Sequence, residues 1–352
     1  MLHSSGIGTY LQNLIPRVIQ ALPEVHFTFL GTIAEMQKYP WLHVGNVALV
    51  ECRAPVYSIR EQVVLYQKTP SSTTLFWAPH YNMPLLYRGR LLVTVYDLCH
   101  LAVPEALTGI HKRAYARLMY RAVARRAGRI ICISRFTKGE LLRLVRVSDE
   151  KVHTIYPGVD PTWFDVRRCE RPHQSPFLLY VGNVKPHKNL HSLLEAFRLL
   201  MDSIPHDLVI IGKREGFITG DKAVAAKAAI LGDRVIFTGE LTNTAVFRQY
   251  FVYADVLILP SLYEGFGLPP LEAMACGCPV VVSKVASLPE VCGDAALYCN
   301  PRSPEDLADK IALVLNDSTL RSELQTRGLR QARRFTWDVC ANETVSVIRT
   351  ML

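Results

Sequence analysis

The chain has 352 residues, beyond the usual span of one domain, so two domains of roughly 150–200 residues are expected. With 49% apolar and 20% charged residues, its composition excludes a disordered or fibrous chain. The formal charge of +9 favours an anionic partner, and composition alone leaves nucleic acid, a phosphorylated substrate and an anionic membrane all open.

No run approaches the ~20 apolar residues of a membrane-spanning helix, and MLHSSGIGTY lacks the charged start and apolar core of a signal peptide. The sequence therefore predicts a soluble, cytoplasmic protein. Its nine cysteines are scattered, and Cys276 and Cys278 stand too close for zinc-ligand spacing, so they read as reduced and structural.

In chain order, the first half predicts a helix over Ile7–Ala21, then short apolar strands at His26–Gly31, Val47–Cys52, Thr74–Pro79 and Leu91–Asp97. A helix over His111–Ala127, a strand at Arg129–Ser134, a helix over Phe136–Val145 and a strand at Lys151–Tyr156 follow. The second half repeats the alternation, with strands at Phe177–Gly182, Asp207–Gly212, Val235–Gly239, Asp255–Pro260 and Pro279–Ser283. Helices are expected around Leu190–Met201, Lys222–Leu231, Thr242–Tyr253 and Pro270–Cys276. A last helix, Trp337–Met351, has no strand after it.

Apolar strands alternating with helices mean parallel sheets covered on both faces. The predicted fold class is α/β: two Rossmann-like, doubly wound domains facing a cleft. Periodicity breaks over Pro161–Pro176. The expected segments are 1–165 for acceptor binding, 166–335 for nucleotide-sugar binding, and a helix at 336–352 packing back on the first domain.

The segment Tyr263–Ser283, YEGFGLPPLEAMACGCPVVVS, carries the chemistry. It follows a strand, turns at Gly265 and Gly267, and opens a helix at Pro269–Pro270, where missing N–H groups cost nothing. A helix N-terminus there presents amides and partial positive charge to a diphosphate. Glu264 and Glu272 can accept bonds from sugar or ribose hydroxyls. YVGNVKPHKN ends an earlier strand at Gly182 and supplies Lys185 and Lys188, point charges suited to phosphate.

These paired glutamates within PSLYEGFGLPPLEAMACGCPVV look like the signature of the retaining family 4 glycosyltransferases of the GT-B fold. Similarity continues through SLPEVCGDAALYCNP, FLLYVGNVKPHKNLHSLLEAF, RIICISRFTKGEL and KVHTIYPGVD. FWAPHYNMPLL and LLVTVYDLCHLAVPEAL (Leu91–Leu107) are similar to mannosyl- and rhamnosyltransferases of bacterial surface polysaccharide synthesis.

The resemblance implies a nucleotide-sugar donor held by Gly6, Gly8, Gly182, Asn183, Lys188, Glu264, Gly265, Phe266, Gly267, Leu268 and Glu272, with Lys188, Glu264 and Asp97 as catalytic residues. Asn183 stands where the family often has arginine, with Lys185 or His187 as compensation. Family members carry a first β-strand before the Gly6–Gly8 loop, and here that strand is expected to be missing. Tyr96 stands where the family commonly has histidine. Asp97, His80, Tyr96 and His100 are the acceptor-side candidates.

No Asp-x-Asp occurs, so no metal and no cofactor are expected. Arg113, Arg117, Arg121, Arg125 and Arg129 recur every fourth residue of one predicted helix, with Tyr115, Leu118, Met119, Ala122 and Val123 on another side. That basic face suits an anionic membrane; no nucleic-acid reading motif accompanies it. The implied activity is retaining transfer of a hexosyl group, mannose from GDP-mannose first, to a saccharide or lipid-linked saccharide acceptor. A sugar-nucleotide epimerase and a non-catalytic nucleotide-sugar binder are the rival readings. A nicotinamide dehydrogenase would need a G-x-G-x-x-G turn, which is absent.

Overall fold

The structure, a computed structural model, describes residues 5–55, 57–103, 110–212 and 222–352. The end of the Leu91–Leu107 motif lies outside the described residues. The elements begin with α1 (Ser5–Ala21), β1 (Phe27–Gly31), α2 (Ile33–Met36), β2 (Val47–Glu51) and α3 (Ile59–Lys68). Next come β3 (Leu75–Ala78), β4 (Arg90–Val95), α4 (Cys99–Ala102), α5 (Ile110–Arg126), β5 (Arg129–Cys132), α6 (Arg135–Val145) and β6 (Val152–Thr154). Then follow β7 (Phe177–Val181), α7 (Leu190–Leu200), β8 (Asp207–Ile211), α8 (Lys222–Ile230), β9 (Val235–Gly239), α9 (Thr244–Tyr253) and β10 (Val256–Leu259). The chain ends with α10 (Leu268–Ala275), β11 (Val280–Ser283), α11 (Leu288–Cys292), β12 (Leu297–Cys299), α12 (Pro304–Asn316), α13 (Ser318–Ala332) and α14 (Trp337–Arg349).

Two compact units result. Unit 1 comprises Met1–Ala102, Gly109–Gly158 and Thr336–Leu352; unit 2 comprises Val103–Thr108 and Val159–Phe335.

Unit 2 holds one six-stranded sheet in the order β12-β11-β10-β7-β8-β9, every pair parallel. Its strands wind outward in both directions from β7 and β10. Consecutive apolar runs such as Val256–Leu259 and Val280–Val282 are buried on both faces, which is why they do not alternate with polar residues. Side-chain caps set the starts of its helices: Asn243 accepts from the amides of Ala245 and Val246 at α9, and Ser303 from Asp306 at α12.

Unit 1 has two parallel sheets, β1-β2 and β3-β4-β5-β6. Among the described residues α1 opens this unit, with no strand before it. Helix α14 packs on α1: Tyr10 meets Trp337 edge-on at 5.7 Å, and Arg17 Nε donates to Asp338 at 2.7 Å. The turn of chain before α14 passes so close to Gly158 that a Cβ there would lie 2.1 Å from the Trp337 nitrogen, so only glycine fits.

The structure departs from the sequence reading at several elements, and helices α12 and α13 were not expected at all. Arg129 begins β5, as the predicted strand Arg129–Ser134 has it, so it drops out of the basic stripe, whose helix ends at Arg126. Leu118, assigned to the apolar side, is 57% exposed. β12 is a three-residue strand, too short to leave a period in the sequence. Helix α3 was missed because its pattern is inverted, with Glu61 and Gln62 buried while Ile59 is 86% exposed.

Candidate functional site

In an open parallel sheet, ligands bind beyond the carboxyl ends of the strands where winding direction reverses. In unit 2 that point lies between β7 and β10. The two loops leaving those strand ends are tied together. The Leu262 amide donates to the His187 carbonyl at 2.7 Å, and Asn189 Nδ2 donates to the carbonyls of Pro260 and Pro301 at 2.9 and 2.7 Å.

That clamp brings Lys188 onto Glu264. Lys188 Nζ donates to both carboxylate oxygens, at 2.6 and 2.8 Å, and Ser261 Oγ donates to Oε1 at 2.6 Å. The pair is largely buried, with the two side chains 22% and 9% exposed. Opposite charges this sheltered from water interact strongly, and removing one partner leaves the other uncompensated at a cost of about 3–5 kcal/mol. An incoming anion that engages Lys188 therefore competes directly with Glu264.

The Glu264–Leu268 loop is fixed from beneath by Ser287, whose Oγ donates to the carbonyls of Glu264 and Phe266 at 2.9 Å each. Phe266 is buried edge-on against Phe335 at 5.6 Å. Gly267 has φ +102°, a left-handed conformation that favours glycine, and a Cβ there would lie 2.9 Å from Leu288 Cδ2. Helix α10 starts with Leu268, Pro269 and Pro270. The prolines offer no N–H, so the first-turn donors available to an anion are concentrated at Gly267, Leu268 and Leu271.

On the β7 side, Gly212 packs so tightly on Gly182 that a Cβ would lie 2.3 Å from the Gly182 carbonyl oxygen. Asn183 follows in the same loop, its carbonyl accepting from the Lys185 amide at 3.0 Å, and Lys185 is exposed. Glu272 stands one turn into α10. Burial raises its carboxyl to about 7 against the opposing pull of Arg248.

Gly6 and Gly8 lie within the first two turns of α1, with Gly6 exposed. In unit 1 the ends of β3 and β4 gather His80, Asp97 and His100. Asp97 Oδ1 accepts from the Cys99 amide at 2.8 Å, and Tyr120 donates to the Asp97 carbonyl at 2.7 Å. His80 stands over Tyr81 at 4.2 Å, and burial lowers its imidazole to about 4 despite the nearby Asp97 carboxylate, so it is neutral at pH 7. His100 Nδ1 and the Tyr81 hydroxyl lie 2.9 Å apart. Tyr96 turns its ring to Tyr10 at 5.2 Å, and its buried hydroxyl has no hydrogen-bond partner among the described residues. Burial drives that phenol well above its usual range.

Sequence reasoning missed Ser261 and Ser287, which hold the Glu264 loop, and in unit 1 it missed Tyr57, Glu61, Tyr81, Asn82 and Tyr115. Ser261 stands three residues before Glu264 in a conspicuous motif and was findable there. The unit 1 residues come from three separate elements and share no local pattern.

Residues 162–331 match the family described as glycosyl transferases group 1, and residues 70–163 match glycosyltransferase family 4. The chain is 29% identical over 306 residues to O-antigen chain mannosyltransferase B of Escherichia coli, covering 79% of this chain and 74% of that one. It is 29% identical over 222 residues to the O-antigen chain mannosyltransferase RfbU of Salmonella typhimurium, covering 63% of this chain and 59% of the relative. Among solved structures, Anabaena Alr3699/HepE in complex with UDP-glucose superposes with a TM-score of 0.76 at 17% identity, over 100% of this chain and 98% of the other. At that identity the likeness shows the fold alone, which is GT-B.

Proposed function

The chain belongs to the group 1, family 4 glycosyltransferases, and on that premise we propose that it transfers a mannosyl group from GDP-mannose to a saccharide or lipid-linked saccharide acceptor in surface-polysaccharide synthesis, with retention of anomeric configuration. The observation that carries this reading is the Lys188–Glu264 pair at the reversal point of the unit 2 sheet, beside the start of α10. A lysine there supplies positive charge where a departing diphosphate develops negative charge.

On this reading unit 2 binds the donor. As the diphosphate binds, Lys188 moves its bonds from Glu264 to phosphate oxygens, with the amides of Gly267 and Leu268 as further donors. The released Glu264 carboxylate accepts from hydroxyls of the transferred sugar, and Glu272 from the ribose. Lys188 and the amides provide the charge that a divalent ion supplies in Asp-x-Asp transferases, so EDTA is expected to leave the rate unchanged. Unit 1 binds the acceptor, with Asp97 the first polar contact. No side chain is placed as a covalent nucleophile, and the acceptor hydroxyl attacks on the face the leaving group departs from.

The choice of mannose is supported by the two mannosyltransferase relatives, and GDP as its carrier is what the surface-polysaccharide resemblance implies. Among the described residues no helix is long and apolar enough to cross a membrane. The exposed Arg117, Arg121 and Arg125 face of α5 is a candidate contact for anionic lipid. Sedimentation with anionic liposomes tests that contact, and binding unchanged by arginine-to-glutamine substitution rejects it.

A thermal-shift panel of GDP, UDP, dTDP and ADP tests the donor reading. The cognate diphosphate at about 100 times its dissociation constant stabilises by about 2.7 kcal/mol. Stabilisation by UDP alone replaces GDP-mannose with a uridine donor; stabilisation by none removes the donor site from unit 2.

A further inference from the structure

Unit 1 contains a cluster of aromatic and polar side chains that the donor chemistry does not use. Tyr57 precedes α3, is 48% exposed and has a left-handed backbone, φ +67°. Its ring runs parallel to Tyr81 at 6.3 Å and 27°, and Tyr81 stacks in turn on Tyr120 at 4.5 Å and 26°. Tyr115 and His80 meet Tyr57 edge-on at 6.1 and 5.9 Å. The stack thus has one exposed end, and that end is Tyr57.

Glu61 sets this end in place. Its Oε2 accepts from the Tyr57 amide at 2.7 Å and from Asn82 Nδ2 at 2.7 Å, while Tyr115 donates its hydroxyl to Asn82 Oδ1. Both bonds terminate on Oε2, so Oε1 has no partner among the described residues. Gln62, beside it and also buried, accepts from the Leu85 amide on Oε1 at 2.7 Å and leaves Nε2 without a partner among the described residues. Burial raises the Glu61 carboxyl above its usual range, against the bonds from Asn82 and Tyr57.

A left-handed non-glycine residue is held only where its surroundings over-determine it, and such residues concentrate at ligand sites. The Glu61 bond to the Tyr57 amide is the holding interaction here. An exposed aromatic face beside a carboxylate oxygen left open matches one ligand chemistry well. The C–H face of a hexose ring covers apolar carbon while its hydroxyls need acceptors and donors at the rim.

We propose that Tyr57 is the stacking platform for a sugar ring of the acceptor, with Glu61 positioning Tyr57 and offering Oε1 to a ring hydroxyl. This assignment rests on the transferase reading and deepens it at one point: Tyr57 and Glu61 are the residues that recognise the acceptor saccharide, through the face of a ring. The cluster lies at the same strand ends as His80, Asp97 and His100. Tyr57 is a substrate-contact residue, and Glu61 a positioning residue as well as a contact.

The test uses the full chain with mannobiose as probe, monitored by NMR line broadening without donor, and GDP affinity measured in parallel. Tyr57→Ala is expected to weaken mannobiose binding about tenfold, while Tyr57→Phe and Tyr57→Trp, which keep the face, stay within about threefold. Glu61→Gln is expected to weaken it less than Tyr57→Ala, and GDP affinity is unchanged throughout. Ile59→Ser, an exposed change on the same helix, leaves both affinities intact and controls for damage to α3. Wild-type-like mannobiose binding by Tyr57→Ala overturns the proposal. So do equal losses in Tyr57→Ala and Tyr57→Phe, or a wild-type chain that broadens no mannobiose line. If GDP fails to bind while mannobiose binding still depends on Tyr57, the donor reading falls and the platform stands.

Discussion

The strand ends of unit 2 carry charge and those of unit 1 carry aromatic surface. At β7 and β10 a lysine and a carboxylate sit in bidentate contact, sheltered from water and braced by serines. Around β3 and β4 the groups are mainly tyrosines, with a histidine kept neutral by burial, the Asp97 carboxylate, and a glutamate from α3 whose carboxyl burial raises. The difference teaches what each region is built to hold. Paired charge suits a ligand that arrives and leaves with charge of its own, while aromatic faces and amides suit a neutral, hydroxylated one.

The sharpest way to break this contrast is to remove the charge in unit 2. Lys188→Ala is expected to lower kcat by about 10²–10³-fold, since it deletes the cation facing the leaving diphosphate. Steady-state kinetics with GDP-mannose measures it, and a loss confined to KM would reassign Lys188 to ground-state binding.

A second expectation concerns Glu272, whose carboxyl is raised to about 7 by burial. A raised acid is most stabilising while protonated, so its contribution is full below about 4.5 and is lost as pH climbs through 7. Glu272→Gln stays neutral and is expected to flatten that decline, gaining at most about 3 kcal/mol at pH 8 relative to the parent. Urea unfolding at pH 5 and pH 8 measures it. Equal pH slopes in the two proteins contradict the burial argument.

The smallest effect belongs to unit 1. The Tyr96 hydroxyl is buried without a hydrogen-bond partner among the described residues, so Tyr96→Phe is expected to be neutral or stabilising by up to about 1 kcal/mol. Turnover is expected to be unaffected. A marked loss of activity in a stable Tyr96→Phe protein returns Tyr96 to the acceptor contacts.

The same contrast explains what was legible in the sequence. Strands such as Val256–Leu259 and Val280–Ser283 declare themselves as unbroken apolar runs, and the Glu264 turn declares itself through its glycines and prolines. Both signals are local, because backbone turns and helix starts constrain adjacent residues. Tyr57, Glu61, Asn82 and Tyr115 meet through tertiary packing of α3, α5 and the end of β3, and nothing in their spacing announces it. Helix α3 hides further, since polar Glu61 and Gln62 face inward and apolar Ile59 outward. Arg129 shows where spacing alone misleads: it continues the four-residue interval of α5 and yet opens β5, as the predicted strand Arg129–Ser134 has it.

The central claim is that Lys188 exchanges Glu264 for a nucleoside diphosphate at the reversal point of the unit 2 sheet. Calorimetric titration of GDP into the wild-type chain and into folded Lys188→Ala tests it most directly. GDP is expected to bind the wild type and to bind the variant about 100-fold more weakly, from the loss of charge-assisted bonds to phosphate. Equal affinities in the two proteins would contradict it.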